Sequence, residues 1–236
     1  LKKLNIAGSN RRSGVDGNAG RQAARRRAYS PAILVAIPIM ASPPQRRPFR
    51  PAAPGRVRII AGRLRGSKLD VPDVIGLRPT ADRVRETLFN WLMPVLPGAR
   101  CLDLYAGTGA LGIEAASRGA REVVLVERDR QATAALRGNL ARLGVAAATV
   151  VEADALAFLS GPARPFDVVF LDPPFAARAW SAAAAALVRG WLAPQARVYV
   201  ESPFDPVPAV PPDWDLQREL RAGVVRAALY RCGPAP

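Results

Sequence analysis

The 236-residue sequence predicts an α/β fold: a seven-stranded, mostly parallel sheet with helices on both faces, closed by a C-terminal antiparallel hairpin. Three observations predict it. From residue 101 onward, runs rich in Val, Leu and Phe alternate with Ala-rich segments, the pattern of parallel strands buried on both faces. The first run passes into a helix through Gly107-Thr-Gly-Ala-Leu-Gly112, a tight strand-to-helix turn. The last segments, 214–221 and 224–231, carry alternating or β-branched residues on either side of Ala222-Gly223, which reads as a hairpin.

Taken in order, residues 1–55 mix Gly, Asn, Arg and Pro, with prolines at 43, 44, 48, 51 and 54, and hold no period for long. They read as a disordered basic tail, either an extension of the gene start or an RNA-gripping arm. Regular structure is expected from Arg56: a strand over 57–61, a turn over 65–67 and a return strand over 68–71. Thr80 is placed to cap a helix over 81–91, where Val84, Leu88, Trp91 and Leu92 form an apolar stripe that Pro94 ends. Strands follow at 101–104, 122–126, 148–151, 167–171 and 196–200, with helices at 109–118, 129–142, 154–159 and 176–190 between them. The chain thus divides into a tail (1–55), an extension of short hairpin and helix (56–98) and the main domain (99–236).

Half of the residues are hydrophobic, enough for one well-buried domain of roughly 180 residues with an appendage. The net charge is +15, which invites a polyanionic partner. Its distribution weakens that inference: residues 1–58 hold thirteen Lys and Arg against one acid, Asp16, and the rest is nearly balanced. The absence of His excludes His-based acid–base chemistry and the common zinc constellations, so no metal is expected. Cys101 and Cys232 read as free thiols in a reducing compartment. The apolar run from Ile33 to Met40 is far shorter than the roughly 20 residues that span a bilayer, so a cytoplasmic protein without membrane contact is expected.

The glycine turn matches a nucleotide-binding loop, with Gly107 and Gly109 allowing a ligand to approach the backbone and Gly112 letting the helix pack near the strand. Glu127 ends the second strand 20 residues after Gly107, where a carboxylate accepts the ribose hydroxyls of an adenosine. Glu127 does not distinguish a nicotinamide cofactor from S-adenosylmethionine. Asp103 is more discriminating, because a carboxylate beside the loop repels a pyrophosphate but suits an ammonium and a sulfonium. Asp154, after the third strand, is placed to receive an adenine amine, with Ala155 and Leu156 beside the ring. Asp129 and Asp154 also stand where helix caps stand, and both readings stay open. The candidate cofactor contacts are therefore Asp103, Tyr105, Gly107, Thr108, Gly109, Glu127, Arg128, Asp154, Ala155 and Leu156, together with Thr80.

Asp172-Pro173-Pro174-Phe175 follows the fourth strand of the main domain, at the edge where open α/β sheets bind ligands. Two consecutive prolines stiffen the chain and keep Asp172 and Pro173 out of the α region. The Asp172 carboxylate and the Pro173 carbonyl are then fixed acceptors for the two hydrogens of an exocyclic amine, which orients its lone pair for in-line displacement at a sulfonium methyl. Phe175 would stack on a base drawn out of its neighbours. Together with the glycine turn, this pattern points to a Rossmann-like class I methyltransferase.

These residues resemble the bacterial small-subunit ribosomal RNA guanine-N2 methyltransferases of the RsmD type. The likeness begins at Arg58-Ile-Ile-Ala-Gly-Arg63 with Arg65-Gly66 and runs through Leu77-Arg-Pro-Thr-Ala-Asp-Arg-Val-Arg-Glu-Thr-Leu-Phe-Asn-Trp91. It continues through Leu102 to Gly112, Ser117-Arg-Gly119, Val126-Glu-Arg-Asp129, Asp154-Ala-Leu156 and Phe170 to Phe175. The departures are mild: Thr108 stands where such proteins often have Ser, and the closing Arg221-Ala-Gly-Val-Val-Arg226 is slightly altered. The resemblance implies S-adenosylmethionine as cofactor and methylation of N2 of the guanine at position 966 of 16S rRNA. It also implies a monomer acting on the 30S subunit or an assembly intermediate, with Asp172, Pro173, Pro174 and Phe175 presenting the amine.

Arg58, Arg63, Arg65, Lys68, Arg78, Arg83 and Arg85 crowd around short turns and are candidate RNA contacts, the other reading being a solvated basic face. Arg83 and Arg85 lie about 200° apart on a helix, so one of them is expected to pair with Asp82, Glu86 or the core edge. Arg63→Glu and Arg83→Glu are expected to weaken RNA binding with little loss of cofactor affinity. Three other readings are weighed against this one: an amine methyltransferase of the same fold acting on another RNA, DNA (adenine N6) or protein; a nicotinamide oxidoreductase, which Asp103 and the lack of His disfavour; and a non-catalytic RNA-binding protein, which the intact tetrapeptide disfavours.

Overall fold

A computed structural model describes residues 56–71 and 82–232. The expected tail at 1–55, and the candidate residues Arg78 and Thr80, lie outside the described residues. The main sheet has seven strands in the order β5-β4-β3-β6-β7-β9-β8. These are β3 (Arg100–Asp103), β4 (Glu122–Glu127), β5 (Ala148–Glu152), β6 (Phe166–Leu171), β7 (Leu192–Pro203), β8 (Asp215–Ala222) and β9 (Val225–Cys232). The first five run parallel, whereas β9 pairs antiparallel with both β7 and β8. This is the class I methyltransferase fold, with a Rossmann-like parallel core and the C-terminal hairpin that the Ala222-Gly223 turn predicts.

Period-two alternation in the strands separates two cores. Cys101, Val123, Leu125, Phe170 and Tyr199 face one side, where they meet α1 (Asp82–Leu92), α2 (Ala110–Ser117) and α3 (Arg130–Leu143). Leu102, Val124, Val126, Leu171 and Val200 face the other, against α4 (Ala155–Leu159) and α5 (Trp180–Leu187). Both sets are apolar because both faces are covered, which is why these strands read as continuous hydrophobic runs in the sequence. Among the described residues no helix is long and apolar enough to cross a membrane.

Helix boundaries follow local chemistry. Asp129 caps α3 by accepting the amides of Gln131 and Ala132, and Gly144 ends it in the left-handed region at φ 61°. Asp154 caps α4 in the same way through the amides of Leu156 and Ala157. The helix expected over 176–190 is shorter and interrupted. Phe175–Ala177 forms a 3-10 turn, Arg178 takes a left-handed conformation at φ 47°, and α5 spans only Trp180–Leu187. The Ala-rich composition favours helix throughout, but the left-handed Arg178 interrupts it between the 3-10 turn and α5.

The N-terminal extension forms a two-stranded hairpin, β1 (Arg56–Arg58) with β2 (Lys68–Asp70). The first strand is shorter than expected because residues 60 and 61 leave it to bind α2. The amides of Ile60 and Ala61 donate to the two carboxylate oxygens of Glu114, at 2.7 and 2.9 Å. The Leu64 amide donates to the Ser117 hydroxyl, and that hydroxyl donates to the Ala61 carbonyl. Gly62 allows this approach: a Cβ there would lie 2.0 Å from the Ser117 carbonyl oxygen. On the other side of the hairpin, Asn139 exchanges hydrogen bonds with the backbone of Asp70.

Candidate active site

The strand order reverses between β3 and β6, and at such a switch point the loops leaving the two carboxyl ends part and open a crevice. Asp103 pairs in register with Phe170, and the Leu104 amide donates to the Phe170 carbonyl at 3.2 Å. The glycine turn that follows Asp103 and the Asp172-Pro173-Pro174-Phe175 corner that follows β6 therefore leave adjacent strands at the same edge.

The glycine turn is held by its neighbours. The Gly107 amide donates to Glu127 Oε2 (2.9 Å), while Glu127 Oε1 accepts the Asp129 amide (2.8 Å). Glu127 thus ties the loop to the end of β4 while its carboxylate stays half-buried. Gly109 is left-handed at φ 78°, and a Cβ there would lie 2.5 Å from Leu136 and 2.8 Å from Ile113, so only glycine fits. Thr108 is buried, its hydroxyl accepting the Ala110 amide at 3.3 Å.

The three acids on the carboxyl ends of β3, β4 and β5 differ in surroundings. Asp103 is only 1% exposed and accepts the Gly112 amide at 3.0 Å, so it lies under the turn instead of projecting from it. Asp154 is exposed and serves as the α4 cap; that reading describes it correctly, and it leaves the carboxylate at the surface of the crevice. The Ala155 methyl packs into the second core, whereas Leu156 is 37% exposed next to Asp154. Tyr105 is pushed up to about 12, by burial first and then by the Asp154 charge, with Arg128 opposing. The electrostatic coupling brings Tyr105, Arg128 and Asp154 together at one place.

Burial pushes the Asp103 carboxyl up from its ordinary 3.8 to about 7, the Glu127 charge adding to the effect and the Gly112 and Tyr105 amides opposing it. The folded chain therefore favours protonated Asp103. The associated stability, at most about 4 kcal/mol, is complete below pH 4 and is lost as pH rises through 7. Denaturant unfolding of the chain alone should show stability falling between about pH 4 and 7 and levelling off above it, and Asp103→Asn should flatten that slope. An unchanged slope in the variant would locate the titration elsewhere.

At the second corner, Pro173 is buried and Pro174 precedes the 3-10 turn. Phe175 is 39% exposed and meets Trp180 edge-on, with centroids 5.8 Å apart. The Trp180 indole in turn donates to the Glu201 carbonyl at 2.7 Å, anchoring the corner to the end of β7. Phe175 and Leu156 are thus partly exposed apolar side chains on loops leaving the same edge of the sheet. Tyr199, Glu201 and Trp180 belong to this neighbourhood and carry no motif; only a predicted strand ending at this edge could have pointed to the first two.

The basic residues do not form one surface. Arg85 is 0% exposed, its Nη2 donating to the Arg58 carbonyl (2.9 Å) and to Asp82 (2.7 Å). Its expected RNA contact is therefore corrected: of the two helix arginines it is the one turned inward, and Arg83 is the exposed one. Arg58, Arg63, Arg65 and Lys68 are exposed. Arg63 lies against the Gly144 carbonyl, at the C-terminal end of α3, and its amide binds Ser117 at the end of α2. Both helices start from the glycine-turn edge, so Arg63 sits at the opposite edge of the sheet.

A family model described as Conserved hypothetical protein 95 matches residues 57–231. The chain is 50% identical over 179 residues to ribosomal RNA small subunit methyltransferase D of Escherichia coli K12, covering 75% of this chain and 90% of that protein. The protein of the same name from Haemophilus influenzae is 46% identical over 186 residues, 77% of this chain and 96% of its own length. Among solved structures, yhhF from Escherichia coli superposes with a TM-score of 0.72 at 47% identity, covering 76% of this chain and 99% of that one.

Proposed function

The chain belongs to the ribosomal RNA small subunit methyltransferase D (RsmD) family, and on that premise we propose that it transfers a methyl group from S-adenosylmethionine to N2 of a single guanine of 16S rRNA, the one at position 966. The substrate is the 30S subunit or an assembly intermediate of it. The observation that supports this reading is the register of β3 with β6, by which the Asp172-Pro173-Pro174-Phe175 segment and the glycine turn leave adjacent strands at the switch point, as an amine acceptor beside a cofactor loop would require.

The residues present fit the cofactor. Glu127 and Asp154 suit a ribose diol and an adenine amine, and Asp103 beneath the turn, whose carboxyl is held up at about 7 by burial, would be drawn into its charged form by an ammonium and not by a pyrophosphate. Asp103 and the turn would hold the amino-acid end, Glu127 the ribose, and Asp154 with Leu156 the adenine. S-adenosylmethionine supplies an electrophilic methyl and leaves as a neutral thioether. The chain's own task is placement. Asp172 and the Pro173 carbonyl accept the two N2 hydrogens, which localises the lone pair and directs it at the methyl. Phe175 stacks on the extracted guanine, and Pro173 and Pro174 keep the corner from relaxing. The 56–98 segment serves as an extension of the main domain at 99–236.

Incubation with labelled S-adenosylmethionine and either naked 16S rRNA or 30S particles lacking the modification should place label on N2 of one guanine. Label on adenine or on protein would overturn the reading. Arg83→Glu should weaken RNA binding about tenfold at fixed salt, whereas Arg63→Glu at the far edge should change it less, and neither should alter cofactor affinity. Equal affinity of Arg83→Glu and the unaltered protein in filter binding would remove Arg83 from the RNA surface.

A further inference from the structure

The corner at Asp172 has a neighbour that the tetrapeptide does not include. In the β6–β7 pairing, Phe170 lies beside Tyr199 and Leu171 beside Val200. The first pair faces the α1 side and the second the α5 side. Alternation along β7 returns Glu201 to the α1 side with Tyr199, and Asp172 is the residue that follows Leu171 at the end of β6, so the two continue the paired strands at the same edge. Their proximity has an independent sign, since the Tyr199 hydroxyl is raised by the charges of both Glu201 and Asp172, after burial. Glu201 is 8% exposed, and its carboxylate is held by the Tyr199 hydroxyl, which donates to Oε2 at 2.7 Å. Its backbone carbonyl is held by Trp180, which touches Phe175. A carboxylate so placed is fixed relative to both the acceptor and the stacking ring of the corner.

Resting on the guanine-N2 reading, we propose that Glu201, oriented by Tyr199, is the specificity-determining residue of this site and accepts the N1–H of the target guanine. The chemistry runs along the base edge. Asp172 and the Pro173 carbonyl use the two hydrogens of N2, and the next atom on that edge of guanine is N1, which carries a hydrogen. Adenine presents a lone pair at N1, which a carboxylate repels. Glu201 therefore rewards guanine and rejects any purine that lacks the N1 hydrogen, even one that still has an amine at C2. A site built to accept an N–H discriminates strongly against an analogue without it, because a buried acceptor then faces a lone pair.

The test uses 16S rRNA assembled by ligation with either guanine or 2-aminopurine at the target position. 2-Aminopurine keeps the C2 amine and has a bare N1. The unaltered enzyme should methylate guanine with kcat/KM at least about 100-fold above 2-aminopurine. In Glu201→Gln the Tyr199 hydroxyl holds the amide oxygen, which leaves the NH2 where an acceptor stood and allows it to donate to a bare N1. That variant should lower the ratio at least tenfold, with cofactor affinity and unfolding midpoint unchanged. Tyr199→Phe removes the hydroxyl that donates to the carboxylate and should lower the ratio partway. Equal use of the two bases by the unaltered enzyme overturns the proposal without any variant, and an unchanged ratio in Glu201→Gln overturns it as well. If the enzyme methylates neither base of the RNA, the guanine-N2 reading itself fails, a result distinct from equal use of both.

Discussion

Asp172→Ala is expected to abolish methyl transfer, lowering kcat by about 10²–10³-fold or more, while affinity for S-adenosylmethionine stays within about twofold. The separation follows from the topology. Asp172 leaves β6, while the glycine turn, Glu127 and Asp154 leave β3, β4 and β5, so the proposed cofactor contacts do not involve the Asp172 side chain. Alanine removes one of two acceptors for the amine, and the nitrogen lone pair then stays delocalised into the purine. Asp172→Asn supplies an acceptor oxygen without a charge and should recover much of the rate. That recovery separates an orienting acceptor from a base, since a general base would be lost equally in both variants. Single-turnover kinetics with saturating cofactor would measure it, and normal turnover of Asp172→Ala would remove the residue from the reaction.

Glu114→Ala is expected to cost about 3–5 kcal/mol of unfolding free energy, more than any surface substitution on α2. Glu114 is 0% exposed and receives the Ile60 amide, the Ala61 amide and the Arg118 guanidinium, the last at 2.7 Å. Arg118 also lies 4.9 Å from the Phe89 ring centroid, so it is committed to the interior. Alanine leaves a cation and two amides, all three partly buried, without the acceptor they were folded around. Glu114→Gln retains an acceptor for one amide and should cost less. Because β1 and β2 reach α2 through this carboxylate, urea unfolding of Glu114→Ala should also show earlier proteolysis near residues 60–65. A loss below 1 kcal/mol would mean that apolar packing of Val57, Ile59 and Leu69 docks the hairpin without help.

The sequence was most readable where an element's identity depends on neighbours a few residues away. The glycine turn, the caps Asp129 and Asp154, the hairpin turn at Gly223 and the proline corner all follow from local backbone restrictions, and their positions emerged within a residue or two. Arg83 and Arg85 show where such reading stops. Helical period states that only one of them turns inward, yet the choice of Arg85 depends on the Arg58 carbonyl, which comes from a separate strand. Glu114 looks like an ordinary polar residue in an Ala-rich helix, and nothing within α2 announces that residues 60 and 61 will arrive to be bound. The interrupted segment at 175–187 is a further case, since its alanines favour helix but Arg178 takes the left-handed region.

Residue order alone thus gave the strand and helix types, the fold class and the place of the glycine turn and the proline corner, because each rests on torsional limits and short-range polar chemistry. Packing between distant segments decided which arginine faces water, which acid anchors the extension and that Glu201 ends up on the strand beside the one that leads into Asp172. Those outcomes depend on strand order and register, and these are settled by burying two sheet faces at once, a condition no single stretch of the chain can express.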